Sequence, residues 1–280
     1  MLQCNRMRRC AASPTIRTDL SVTVSLPDIP LEIIYRDEVM VAINKPSGLL
    51  VHRTALDRHE TEFAVQRLRD QIGQRVWPVH RLDRGTSGVL VFALDAVSAH
   101  ALADQFAQHT PDKRYLVLVR GHPSEAGVID HPLRRVIDAI DPRAAREGAE
   151  PIEVQPALTR YRRLATVELP VMVDRYPSSR YALVEALPLT GRTHQIRRHM
   201  NHIAHPVIGD STHGKGVHNR YFASAWGVSR LMLACIHMQL RHPVSGDPIT
   251  LQCDPGEAFG RLAGAFGWNP PQCQPQYERP

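Results

Sequence analysis

The longest unbroken apolar stretches in this chain of 280 residues, Val89–Leu94 and Leu231–Ile236, are six residues each, yet short apolar runs recur densely from Leu31 to Cys253. A bilayer span needs about 20 such residues, so no segment crosses a membrane as a helix. Short runs bounded by turn residues are strand material instead. Leu31–Tyr35 and Val39–Asn44, joined by Arg36-Asp37-Glu38, read as a hairpin. Tyr115–Val119, Leu158–Val167, Tyr181–Leu187, Leu231–Leu240 and Ile249–Cys253 read as further strands, several alternating apolar with polar residues, and Val89–Leu94 reads as a buried one. Helical spacing is rarer. It occurs at Ala64, Leu68 and Ile72, and after Asp95, a candidate cap for a helix with Val97, Ala101, Leu102 and Phe106 toward the core. It recurs after Gly191, with Ile196, Met200 and Ile203 on one face, and over Glu257–Phe266. Strands outnumber helices without strict alternation, which predicts an α+β fold: a central mixed, mostly antiparallel sheet with flanking helices and loops.

The ends differ from this pattern. Residues 1–30 hold Arg6, Arg8, Arg9 and Arg17 and no continuous apolar stretch of the kind a secretory signal needs, and are expected to form a flexible basic arm. Residues 269–280 are proline-rich and expected to be a disordered tail, leaving 31–268 as the folded unit. Arg134–Pro156 lacks periodicity and reads as an excursion within that unit. Five scattered cysteines make neither a disulfide framework nor a zinc motif. The balance of 34 basic against 28 acidic side chains gives a net charge of +6, which mildly favours a polyanionic partner.

Three segments carry groups able to do chemistry. His80-Arg81-Leu82-Asp83-Arg84-Gly85-Thr86-Ser87-Gly88 lies before a strand, and its glycines let the backbone turn sharply. Asp83, flanked by Arg81 and Arg84, suits a nucleophile or base, although Asp and Ser in a turn equally bond the local backbone. The spacing is not that of a serine hydrolase elbow. In Gly191-Arg192-Thr193-His194-Gln195-Ile196-Arg197-Arg198-His199, Arg192, His194, Gln195 and Arg198 are expected off the apolar stripe, on a solvated basic face. Arg197 flanks the stripe and can reach a cleft to pair a carboxylate. His199, His202 and His205 are spaced for one helix side, but no Cys, Asp or Glu joins them as metal ligands. Lys113-Arg114-Tyr115 sets a ring beside two cations, which suits a base and its phosphates as well as a strand edge.

Together these blocks resemble the RluA-type pseudouridine synthases. His80–Gly88 is similar to the family signature H-R-L-D-x-x-T-S-G. Ile43-Asn44-Lys45-Pro46-Ser47-Gly48 with Val51-His52, Lys113-Arg114-Tyr115, Gly191–Arg197, His205-Pro206-Val207-Ile208-Gly209-Asp210 and His242-Pro243 follow in family order. The match is tightest to the branch acting on uridine 65 of tRNA, through Leu49–Arg53, Gln155–Ala157, Leu164–Glu168 and Arg175-Tyr176-Pro177. The resemblance implies the pseudouridine synthase fold with a catalytic cleft across the sheet. It implies isomerisation of uridine to pseudouridine in tRNA, without cofactor, by a cytoplasmic monomer that needs no membrane and no obligate protein partner. It makes Asp83 the catalytic aspartate and Arg197 its ion-pair partner. Tyr115 becomes the ring that packs on uracil and a candidate acceptor of its C5 proton, Arg81 the side chain that helps extrude the nucleotide, and Leu233 an apolar wall of the pocket.

The chain departs from the family in one place. Leu231-Met232-Leu233-Ala234-Cys235 carries Ala where relatives read His, and His237, an odd number of residues on, is expected on the opposite face of the strand. That His is taken as a support for the site. Other readings are a synthase for another tRNA or ribosomal RNA position and a non-catalytic RNA chaperone.

Overall fold

The structure, a computed structural model, describes residues 29–52, 62–135 and 153–269. Nearly all of the expected arm and tail and most of the Arg134–Pro156 excursion lie outside the described residues.

The chain begins with β1 (Glu32–Arg36), β2 (Met40–Lys45), α1 (Ala64–Ile72), β3 (Trp77–Pro78), β4 (Ser87–Ala93), α2 (Ala96–Ala107), β5 (Asp112–Arg120) and β6 (Ala126–Asp130). It continues through β7 (Leu133–Arg134), β8 (Val154–Gln155), β9 (Leu158–Leu169), β10 (Ser179–Pro188), α3 (Gln195–His202), α4 (Gly216–Trp226), β11 (Leu233–Arg241), β12 (Pro248–Gln252) and α5 (Glu257–Phe266). One sheet runs β1-β2-β4-β11-β5-β10-β9-β6, with β12 added to β11 and β3 to β4. The β4–β11 pair is parallel and the remaining neighbours are antiparallel, so the sheet is mixed and mostly antiparallel as its sequence predicts. The excursion leaves and re-enters through the β7–β8 pair.

Every residue of β4 is buried, which explains its unbroken apolar run. It anchors an N-terminal core with β2, α1 and Leu102 of α2. The β5–β10–β11 region is covered on one face by Ile196 and Met200 of α3, packed on Val117, Val184 and Leu233. Its other face is covered by α4 and α5, through Phe222, Phe259 and Leu262 packed on Leu116, Leu118 and Tyr181. Leu31 and Trp268 are both buried, and the Trp268 indole donates to the Thr166 carbonyl at 3.0 Å.

Three expectations are corrected. Asp95 does cap α2, accepting from the Ser98 amide at 2.8 Å, but Val97 is 81% exposed. The buried stripe is Ser98 and Leu102 with Phe106 beside it, and at 100° per residue Val97 faces away from that line. Gln195 is buried, not on a solvated face: its amide donates to the Leu158 carbonyl and Thr159 Oγ1, both at 3.0 Å. In β11 a bulge between Cys235 and His237 resets the alternation. Cys235, Met238 and Leu240 share one core while Ala234 and Ile236 share another, so His237 returns to the face of Ala234.

Candidate functional site

A cavity of about 400 Å³ opens across the sheet beside α3, and Arg81, Asp83, Tyr115, Arg197 and Leu233 all line it. They arrive from four separate elements. The β3–β4 loop carries Arg81 and Asp83, β5 carries Tyr115, α3 carries Arg197, and β11 contributes Leu233. The parallel pairing of Ala234 with Ser87 and Cys235 with Gly88 sets the Asp83 loop against the start of β11. The antiparallel register Cys235↔Tyr115 and Leu233↔Val117 then brings Tyr115 and Leu233 to the same floor.

The Asp83 loop is fastened from behind. Lys45, fully buried, directs Nζ at the carbonyls of Leu49 (2.7 Å), Pro46 (2.9 Å) and Arg84 (3.2 Å). Ser47 Oγ donates to the Gly85 carbonyl at 2.6 Å, and the Gly48 amide donates to the Arg84 carbonyl at 2.8 Å. Burial, with Arg230 nearby, draws the Lys45 ammonium down to about 7 against the pull of Asp83. His80 is an anchor too. Its Nε2 accepts the Val91 amide at 3.0 Å and its ring stacks on Phe106 with centroids 4.4 Å apart.

Arg197 Nη1 donates to Asp83 Oδ2 at 3.1 Å. The rest of the guanidinium is claimed by Asp210, with Nε to Oδ2 at 2.7 Å and Nη2 to Oδ1 at 2.8 Å. Asp210 Oδ1 also accepts the amides of Thr212 and His213, each at 2.9 Å. Burial works against both charges. It is outweighed by their mutual hydrogen bonds, so the Asp210 carboxyl is held low and the Arg197 guanidinium high. The sequence places Asp210 in a matched block without a role, because the bidentate pair joins α3 to a loop beyond it. Burial first, then Cys235 and Asp83, pushes the Tyr115 phenol well above its ordinary range, so Tyr115 is a neutral ring at the cavity floor.

His194 precedes α3 with φ of 55° and places Nδ1 3.1 Å from His213 Nε2. Burial lowers the His194 imidazole despite Asp83 nearby. Arg192 and Lys113 complete the cationic lining. The candidate metal histidines are otherwise engaged. His199 bonds Thr159 Oγ1 through Nδ1 (2.9 Å) and the His131 carbonyl through Nε2 (3.0 Å), and His202 stacks on His131. Among the described residues no cluster of three or more His, Cys, Asp or Glu is placed to hold a metal. Ala234, where relatives read His, is fully buried among Leu116, Met232 and Ile236, on the sheet face away from Leu233 and the cavity.

The profile of the RNA pseudouridylate synthase family matches residues 39–202. The tRNA pseudouridine synthase C of Vibrio cholerae serotype O1 is 49% identical over 238 residues, spanning 85% of this chain and 96% of its own length. Its Yersinia pestis counterpart is 50% identical over 239 residues, spanning 85% and 92% respectively. Among solved structures, human RNA Pseudouridylate Synthase Domain Containing 1 matches with a TM-score of 0.62 at 25% identity, covering 89% of this chain and 99% of its own.

Proposed function

The chain belongs to the RNA pseudouridylate synthase family, and on that premise we propose that it isomerises uridine 65 of tRNA to pseudouridine with Asp83 as the catalytic carboxylate. The observation that carries the assignment is the position of Asp83: at the cavity wall, one oxygen held by Arg197, the carboxylate about one-fifth exposed. The reaction breaks the N1–C1′ bond, turns the base and forms a C5–C1′ bond. The C5 proton leaves and N1 gains one, so atoms and electrons balance within the substrate. Oδ1 of Asp83 is the oxygen Arg197 leaves free to act on the nucleotide. Leu233 and the Tyr115 ring bound the space for a flipped base. Because Tyr115 is neutral, it serves the base first as a packing surface; it can accept the C5 proton only as its own leaves. Arg81, exposed at the rim, is placed to take the position vacated by the extruded nucleotide.

Support for tRNA, and for position 65 within it, comes from the similarity to tRNA pseudouridine synthase C over most of the chain. The catalytic unit is 31–268, supported by the burial of Leu31 and Trp268 at its two ends. A monomer suffices, since one chain supplies all five cavity residues. The buried Cys235 thiol fits a reducing cytoplasm.

The test is Asp83→Asn, assayed by mapping pseudouridine in a tRNA transcript and in the same transcript with uridine 65 replaced by cytidine. Wild-type enzyme modifies only the first. The variant retains tRNA binding and loses at least about 10³-fold in rate, the scale of an essential nucleophile or base. Undiminished modification by the variant removes Asp83 from the mechanism; modification of the cytidine-65 transcript refutes the position.

A further inference from the structure

A second cavity, of about 480 Å³, lies where β5 ends and β10 begins, and it shares no lining residue with the first. Arg120 and Gly121, Asp174, the Tyr176–Arg180 segment, Ala204, His205 and His218 enclose it. Tyr115 and Arg120 are separated along β5 by roughly 16 Å, at about 3.3 Å of rise per residue, so one molecule has room for both ligands.

Two polar groups of this cavity lack a partner among the described residues. Arg120 is half-buried, and its guanidinium makes neither a hydrogen bond nor an ion pair among the described residues. Arg180, by contrast, is committed to Glu168 through Nε at 3.1 Å. His218 is buried on the first turn of α4, a helix whose N-terminus has no side-chain cap. Its Nδ1 lies 2.8 Å from the Tyr181 hydroxyl. Burial pushes the Tyr181 phenol up to about 12, so the phenol keeps its proton. The other ring nitrogen of His218, Nε2, is buried and has no hydrogen-bond partner among the described residues. His205 approaches closely, its Nδ1 2.9 Å from the Arg120 carbonyl. Gly121 permits this: a Cβ there would stand 2.7 Å from that nitrogen. A buried ring nitrogen left without a partner is costly in a region built only for packing, and the Arg120 guanidinium is left open to a ligand.

We propose that this cavity is a second binding site, built for the phosphate of a nucleotide, delivered either free or within an RNA strand. Arg120 offers a planar fork to phosphate oxygens, and the His218 ring shares the same lining. The volume exceeds what a phosphate fills. Tyr176, 59% exposed at the rim, gives a base a face on which to stack, and Asp174 gives hydroxyl or amino groups an acceptor. The Arg175-Tyr176-Pro177 block, which the catalytic cavity leaves unused, thereby acquires a role. The site is independent of the isomerase reading except where RNA is the source of the phosphate.

Calorimetry on the full chain with inorganic phosphate, adenosine monophosphate and adenosine tests it, beside tRNA KM and kcat in pseudouridine formation. If the source is a free nucleotide, adenosine monophosphate binds and adenosine does not. Arg120→Gln then weakens that binding at least about tenfold, the scale of a lost charge-assisted hydrogen bond. Tyr176→Ala weakens it several-fold and leaves inorganic phosphate unchanged. If the source is RNA, Arg120→Gln raises tRNA KM by a similar factor with kcat intact. The proposal is overturned if Arg120→Gln melts like wild type and changes neither affinity. Should that variant melt early, the His218 ring signal in wild type decides: saturation with adenosine monophosphate or tRNA must raise its pKa, and an unmoved titration overturns the site. Failure of the isomerase reading shows separately, as absence of pseudouridine from tRNA treated with wild type.

Discussion

Arg197 spends Nε and Nη2 on Asp210 and has Nη1 left for Asp83, so the direction from which Asp83 is held is set by a carboxylate that is itself fully buried. Asp210→Asn replaces one acceptor by an amide whose hydrogens face the guanidinium. The loss of half a buried pair is worth about 3 kcal/mol of stability. A guanidinium free to swing misplaces Asp83, and a small displacement costs about 10²-fold in kcat. Single-turnover rates with tRNA, alongside thermal melts, check this, and an unchanged kcat would remove Asp210 from the positioning chain. His80 makes a different prediction. Burial, reinforced by Lys113, takes its pKa from 6.5 to about 3. Between those values the unfolded chain binds more protons than the folded one, so stability is full above about 6.5 and declines as pH falls toward 3. At pH 5 the His80 contribution is lower by about 2 kcal/mol than at pH 7. Urea titrations of wild type and His80→Gln, which keeps an acceptor for the Val91 amide, should differ in slope against pH across that window. Parallel slopes would falsify the assignment.

At the level of elements, Gly88 decides whether the two halves of the site meet. Its φ is 111°, and a Cβ at this position would lie 2.1 Å from the Cys235 carbonyl oxygen, in the parallel β4–β11 contact. Gly88→Ala therefore combines backbone strain with a clash against main chain. It is expected to cost on the order of 3 kcal/mol or more, seen as a fall in melting temperature together with loss of activity; a variant with wild-type melting would show that the pairing can shift. The sequence makes the strands legible because their alternation and apolar runs are local properties. It does not reveal α4, whose buried residues are only His218 and Phe222, one turn apart and without a repeating stripe. It misplaces Val97 because an apolar side chain one position before the stripe mimics its start. The β11 bulge is likewise silent, since one extra residue leaves no mark on composition while reversing the face of every residue after it.

For the molecule as a whole, the family blocks make the membership of the site legible, but not its assembly. That Asp83, Tyr115 and Leu233 share a floor follows from strand order, which nothing local encodes. The net charge of +6 gains meaning once located. Arg81, Lys113 and Arg192 line the cavity, and Arg198 and Arg134 are joined beside it by a 3.0 Å bond from Nη1 to a carbonyl. Among the described residues the Arg192 side chain is tethered only through Nε, to the Pro156 carbonyl at 3.1 Å, which leaves its terminal nitrogens available to a phosphate. A phosphate neutralised there releases a counterion, so each such contact adds about 0.7 to 0.9 to the slope of log affinity against log salt. Arg192→Ala should therefore flatten that slope by about one such increment and weaken tRNA and an unrelated RNA by a similar factor, because a phosphate contact carries no sequence information. Filter binding of both RNAs across a salt series reads the two effects together. A slope unchanged by the substitution would place the RNA backbone elsewhere, and a loss confined to tRNA would make Arg192 a reader of base or shape.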